Sequence, residues 1–294
     1  MAFIRIQKTG GTSWENHLFK HLQVKHREGW INICSYSNKV NRSLCLVNSY
    51  FKPIIWDHYI DDSCDLHADY TELRQCILRD YIPFGTVDYF SVTHLMTFLR
   101  NPVDRFISEY EHAKLGATWP KSVRICPTSL FYLDKCYTHG KSWANAKWEA
   151  FLNCENNLAN NRQVRMLADF GKIGCQVLDC FTRLANCTEN MKKLNEARLL
   201  ESAKHTLLRL SFFGMAEYQT QSEFLFLKTL DDNRFRFSEP IKDKKDTLAA
   251  ISMKGEAGKH IDRIKAINHL DIQLYEFAKD IFFKRVAYFQ NEKK

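Results

Sequence analysis

Two groups of residues have the types and spacing to do chemistry on an anion. The first is Lys8-Thr9-Gly10-Gly11-Thr12. Adjacent glycines let backbone N–H groups approach a ligand closely, a helix starting behind them adds its positive end, and Lys8 and Thr12 supply a charged and a neutral donor. The pentad reads as a phosphate cradle. It is not the nucleoside-triphosphate loop G-x-x-x-x-G-K-[ST], because its lysine precedes the glycines. A plain helix start with a solvated lysine is the competing reading. The second group is Arg100 and Ser108. An arginine at a strand end and a serine two turns into the next helix can face one crevice and hold another phosphate. Taken alone, a surface arginine and an ordinary helix serine fit as well.

The elements around these residues follow from periodicity and turn chemistry. Ala2 to Gln7 is a short β-favouring stretch that stops at the pentad, after which Trp14, Leu18 and Leu22 recur at helical spacing. The order is strand, glycine loop, helix. Tyr89 to Leu99 repeats the pattern, running into Arg100-Asn101-Pro102, where Pro102 suits a helix's first turn and Val103, Phe106, Ile107 and Tyr110 form its apolar face. Asn195 to Arg209 reads as helix, Ser211 to Ala216 as a buried strand, Tyr218 to Leu230 as helix, and Ile264, Ile267, Leu270, Leu274, Phe277 and Ile281 as one long amphipathic stripe. Alternating strands and helices predict an α/β fold with a central parallel sheet flanked by helices and ligands at the carboxyl ends of the strands. Residues 31–66 and 116–160 carry many cysteines and read as long, disulfide-tied insertions. With no internal repeat and no Pro/Gly/Ser-rich linker, residues 1–294 are expected to form one domain.

Composition narrows the class. Apolar residues make up 45% and charged residues 26% of 294, with 11 glycines and 6 prolines, which excludes collagen-like, low-complexity and wholly disordered chains. The formal charge is +8, and the lysines and arginines are dispersed rather than run together. That favours a folded cleft for a polyanion over a nucleic-acid-binding tail. Ten cysteines, none in a C-x-x-C pair, suit disulfides in an oxidising compartment better than a metal site. The acceptor tripeptides at Asn41 and Asn186 point to the same compartment. A lumenal protein needs a signal or an anchor. None is present ahead of the first strand, so an upstream membrane anchor is expected to be missing from this chain.

Several runs together resemble the heparan-sulfate 6-O-sulfotransferases: Phe3 to Thr12; Leu99 to Val103 with Ser108-Glu109; Gly116 to Trp119; Asn157 to Leu167; Phe213-Gly214; and Leu270 to Tyr275. The glycine loop is shared with many sulfotransferases, whereas the Asn157 run is much more specific. The resemblance implies the sulfotransferase α/β fold, 3′-phosphoadenosine 5′-phosphosulfate (PAPS) as sulfate donor with no metal, heparan sulfate as partner, and a Golgi-lumenal type II membrane protein. It implies that Lys8, Thr9, Gly10, Gly11 and Thr12 hold the 5′-phosphosulfate and Arg100 with Ser108 the 3′-phosphate. His67, in Leu66-His67-Ala68-Asp69, matches the histidine regarded as the family's catalytic base. Residue types alone would not have selected it among 11 histidines. Trp119, Arg162 and Arg165 would lie on the acceptor side.

The chain also departs from the family's pattern. Arg5 stands for a histidine, Tyr70 for a tryptophan, Asn101 for an aspartate and Pro120 for a lysine-type residue, while Lys242 to Lys254 match poorly where a basic nucleotide-covering loop is expected. The implied activity is in-line sulfuryl transfer to the 6-hydroxyl of glucosamine. The rivals are transfer elsewhere on a glycosaminoglycan, such as a uronosyl 2-hydroxyl, and an inactive heparan-binding module. A kinase is disfavoured by the missing Walker lysine and acidic Mg²⁺ motif.

Overall fold

The computed structural model describes residues 2–27, 29–32, 34–37, 42–45, 67–81, 95–116, 146–154, 157–178, 180, 187–230, 233–241 and 255–291. Trp119, Asn41, Asn186, Pro120 and the Lys242–Lys254 segment lie outside them, as does the 82–94 part of the chain.

Three parallel strands form the central sheet in the order β1 (Ala2–Ile4), β6 (Leu95–Leu99), β7 (Phe212–Met215). The strands are apolar on both faces, as befits a sheet covered on both sides. The first is shorter than expected. It ends at Ile4, opposite Thr97, so the chain from Arg5 onward leaves the ladder while β6 continues to Leu99. The sheet's carboxyl edge is thereby left for the loop to cross.

Helix α1 (Gly11–His21) follows the loop and buries Trp14 and Leu18. Leu22 does not belong to it. The backbone turns extended there and starts β2 (Leu22–His26), which pairs antiparallel with β3 (Gly29–Asn32) and with β8 (Phe235–Phe237). A second antiparallel pair, β4 (Cys34–Ser37) with β5 (Arg42–Cys45), follows. Neither antiparallel sheet is foreseen by the strand–helix alternation, because each pairing depends on register rather than on local pattern.

Helix α2 (Tyr70–Tyr81) precedes β6, and α3 (Pro102–Lys114) follows it with Val103, Phe106, Ile107 and Tyr110 buried, as the spacing predicts. Asn101 caps α3 by accepting from the N–H groups of Val103 at 3.0 Å and Asp104 at 3.4 Å. The side chains of Asn and Asp cap equally well, so this departure from the family pattern keeps its structural task. Short helices α4 (Trp148–Asn153), α5 (Arg162–Leu167) and α6 (Phe170–Ile173) come next. Residues 146–160 are thus not simply an insertion: Trp148, Phe151, Leu152, Cys154 and Ala159 pack with the α3 face in a second apolar cluster.

Helix α7 (Glu189–Arg209) starts earlier than the periodicity suggests, since the Thr188 hydroxyl accepts from the Met191 N–H. After β7 comes α8 (Gln219–Leu230). The terminal stripe is two helices, α9 (Ile261–Ile267) and α10 (His269–Asn291), interrupted at buried Asn268. Cys180 and Cys187 form a disulfide with each other, and Cys154 and Cys175 are each in a separate disulfide. Among the described residues no helix is long and apolar enough to cross a membrane.

Candidate active site

The loop between β1 and α1 lies across the ends of all three parallel strands. Near its start, the Thr97 hydroxyl donates to the carbonyl of Ile4 at 2.8 Å. In its middle, an Arg100 guanidinium N–H donates to the carbonyl of Lys8 at 3.2 Å. At its far end, Gly10 approaches Ala216, which itself continues β7 by donating to the Leu99 carbonyl at 2.8 Å. The loop is tight. Lys8 has φ 65° and Gly10 φ 90°, so an ordinary residue and a glycine both occupy the left-handed region. A non-glycine residue there carries a cost of about 1–2 kcal/mol, offset elsewhere in the fold. At Gly11 the demand is space: a Cβ would come within 2.8 Å of the Phe3 ring. Buried Thr9 closes the turn, its hydroxyl donating to the Ile6 carbonyl at 2.9 Å. Thr12 is exposed at the start of α1, where the first-turn N–H groups of a helix face outward.

Lys8 is half-buried beside a second cation, Arg100. Burial, then the Arg100 charge, pulls its ammonium below the ordinary lysine range, with Glu109 opposing. Burial also lowers Arg100, against the pull of Asp104 and Glu217. His112 is lowered by burial and by Lys8. It stands one turn beyond buried Ser108, on the same face of α3. The loop, the end of β6 and this face of α3 therefore meet. A cleft in which cations depress one another is one that an anion stabilises.

His67 lies just ahead of α2 and reaches the loop. Its Nδ1 is 2.9 Å from the backbone carbonyl of Arg5. A carbonyl can only accept, so Nδ1 carries the hydrogen and Nε2 is the proton acceptor of the neutral ring. Asp69 holds the beginning of α2, accepting from the Glu72 N–H at 2.9 Å. Burial pushes its carboxyl up to about 7 although backbone N–H groups at Glu72 and Thr71 oppose. The Arg5 side chain, where the resemblance has histidine, donates to the Thr12 hydroxyl at 2.9 Å and pairs with Glu15 at 2.7 Å. It ties the two ends of the loop together.

Three residues that residue-type reasoning missed brace the site. Gln163 clamps Arg100: its Oε1 accepts from the Arg100 N–H and its Nε2 donates to the Arg100 carbonyl, both at 2.9 Å. Asn161 and Asp271 cap each other's helices. The Asp271 carboxylate accepts from the N–H groups of Gln163 at 3.1 Å and Val164 at 2.8 Å, while Asn161 Oδ1 accepts from those of Leu270 at 3.0 Å and Asp271 at 3.2 Å. The Asn157 and Leu270 runs, far apart in sequence, are one cross-braced joint. Their usable signal was Asn161 just ahead of α5 and Asp271 in the first turn of α10.

Arg162 does not sit as an acceptor-facing group. Arg162 is 2% exposed and donates to Glu109 and to Gln7 Oε1, the latter at 3.1 Å. Glu109 also takes Arg105, and although burial pushes its carboxyl up, Arg162 and Arg105 outweigh this and hold it below the ordinary range. Arg165 donates to the Leu158 carbonyl, and burial, then Arg162, brings it down to about 9. Arg162 is therefore a structural support under the loop, whereas Arg165 is half-buried.

A family model for the sulfotransferase family matches residues 1–278. The chain is 35% identical over 99% of its length to heparan-sulfate 6-O-sulfotransferase 2 of Gallus gallus, covering 69% of that protein. The chain belongs to the sulfotransferase family. Heparan-sulfate 6-O-sulfotransferase 2 of Homo sapiens is 34% identical over 99% of the chain, and heparan-sulfate 6-O-sulfotransferase 1 of Homo sapiens 35% identical over 98%. The chain spans 46% and 66% of these two relatives.

Proposed function

We propose that this protein transfers a sulfuryl group from PAPS to the 6-hydroxyl of glucosamine residues in heparan sulfate. The observation that carries the reading is the contact of His67 with the loop that bears Lys8. The identity to heparan-sulfate 6-O-sulfotransferases supports the donor and the acceptor. PAPS supplies the activated sulfuryl group. Lys8, Thr9, Gly10, Gly11 and Thr12 hold its 5′-phosphosulfate with the lysine charge and backbone N–H groups, and Arg100 with Ser108 holds the 3′-phosphate. The neighbouring cations Lys8 and Arg100 fit a nucleotide that carries two separate anionic groups, a 5′-phosphosulfate and a 3′-phosphate.

In this mechanism His67 Nε2 takes the proton of the acceptor hydroxyl as that oxygen attacks sulfur in line. Lys8 neutralises the charge that grows on the bridging oxygen as the 5′-phosphate leaves. Most of the acceleration comes from alignment and charge stabilisation. The positive charge of the chain favours a polyanionic acceptor, and Trp119 is proposed to stack on a sugar face there. The disulfides support an oxidising lumen, and we assign the protein to the Golgi. The decisive experiment is incubation with labelled PAPS and N-sulfated heparosan, followed by disaccharide mapping. Label on the glucosamine 6-position is expected; label on uronosyl 2-positions, or none, would reject the assignment.

A further inference from the structure

The outer antiparallel sheet carries a second surface with chemistry of its own. Its inner face, with Leu22, Val24, Phe235 and Phe237, packs on α1 and α8, Phe237 stacking on His17 with ring centroids 4.6 Å apart. Side chains alternate along a strand, so Gln23, Lys25, Trp30, Asn32, Arg234 and Arg236 occupy the outer face. Register arranges them in two cross-strand rows. Asn32, Gln23 and Arg236 lie abreast, and so do Trp30, Lys25 and Arg234.

The face is ordered. Gln23 Nε2 donates to Asn32 Oδ1 at 3.0 Å, Arg236 Nε donates to Gln23 Oε1 at 3.0 Å, and the Arg236 guanidinium lies 4.4 Å from the centre of the Trp30 ring. Lys25, Asn32, Arg234 and Arg236 are exposed and Trp30 is half-buried. No carboxylate is among the six.

We propose that this face is a secondary binding site for the sulfated polysaccharide acceptor, gripping a stretch of chain beyond the sugars at the transfer site. The inference rests on the acceptor class assigned above. Three cations spaced along an open sheet, with amides and an aromatic edge between them, suit a long chain with repeated sulfate and carboxylate groups. An isolated phosphate would call for a pocket instead. The separation also fits: α1 runs from the cradle to the start of β2 over 11 residues, about 16 Å at 1.5 Å per residue. A short oligosaccharide in the transfer site does not reach the sheet, whereas a polysaccharide does.

The test compares two acceptors, a trisaccharide and a polysaccharide of the same sulfation, with the Lys25→Glu/Arg236→Glu protein. The variant should raise KM for the polysaccharide about tenfold through loss and reversal of surface charge, leave kcat/KM for the trisaccharide within about twofold, and elute from immobilised heparin at lower salt. Trp30→Ala, which removes the stacking partner and no charge, should give the same selectivity with a smaller effect. Equal losses on both acceptors, or unchanged KM and unchanged heparin elution, would overturn the proposal. If the unmodified protein sulfates neither acceptor, the assigned reaction fails, and heparin elution of the variant still decides whether this face binds the chain.

Discussion

Beneath the strand ends, Arg105, Glu109, Arg162 and Asp271 share a dry network in which guanidinium groups meet carboxylates; Arg105 lies 3.8 Å from Asp271 and also donates to Glu109. At the strand ends, Lys8, Arg100 and His112 crowd together, and the charge on one lowers the proton affinity of the next. The residue types are similar, but the network is fully buried while the three cleft cations are half-buried. Pairing separates their tasks. A buried pair with its hydrogen bonds made resists change and holds backbone in place, whereas under-compensated cations are stabilised by an incoming anion. The contrast teaches that an arginine in a family-specific motif is a binding group only where its charge is left for a ligand.

The largest effect is expected on the cleft side. His67→Ala should lower transfer by about 10²–10⁴-fold with affinity for adenosine 3′,5′-bisphosphate nearly unchanged by calorimetry. Near-normal turnover would remove His67 from the mechanism. On the network side, Glu109→Ala leaves two guanidinium groups buried without their shared carboxylate and should cost about 3–5 kcal/mol of stability, read by denaturant unfolding. A loss no greater than that of an exposed Glu→Ala change would erase the distinction between the regions.

Arg100→Ala should weaken adenosine 3′,5′-bisphosphate by about 10–100-fold, the value of a charge-assisted hydrogen bond. Adenosine 5′-phosphate, which lacks the 3′-group, should be affected much less. A selective loss of acceptor affinity instead would mean that the pocket is misassigned.

The smallest effect concerns pH. Folded Asp69 keeps its proton to about 7, against 3.8 for an ordinary aspartate. The folded state therefore binds the extra proton between these values, and the stability this contributes is complete below 3.8 and lost as pH rises through about 7. Asp69→Asn keeps the cap acceptor and should shrink the Tm difference between mildly acidic and mildly basic buffer by about 2–5 °C. Glu15, which burial also pushes up to about 7, should preserve part of the slope.

Much of this site was legible in local pattern. Strand, glycine pair and helix follow one another within a dozen residues, and so do Arg100, the Asn101 cap and Pro102, because periodicity and turn chemistry act between near neighbours. The apolar face of α3 was read correctly for the same reason. The residues that brace the cleft were not legible, and neither was the burial of Arg162 against Glu109. Whether a guanidinium meets Glu109 or solvent depends on how α3 and α5 pack, which no short window of sequence contains. The same holds for the break at Asn268, where a helical stripe yields to hydrogen bonds with residues more than a hundred positions away. Sequence alone settled the strand–loop–helix order at the pentad, the strand-to-helix step at Arg100 and the cationic character of the residues there. Tertiary structure decided which charges are neutralised, which tautomer His67 adopts through a carbonyl 62 residues away, and which helix ends cap each other. These depend on contacts between segments remote along the chain, and such contacts exist only once the fold has formed.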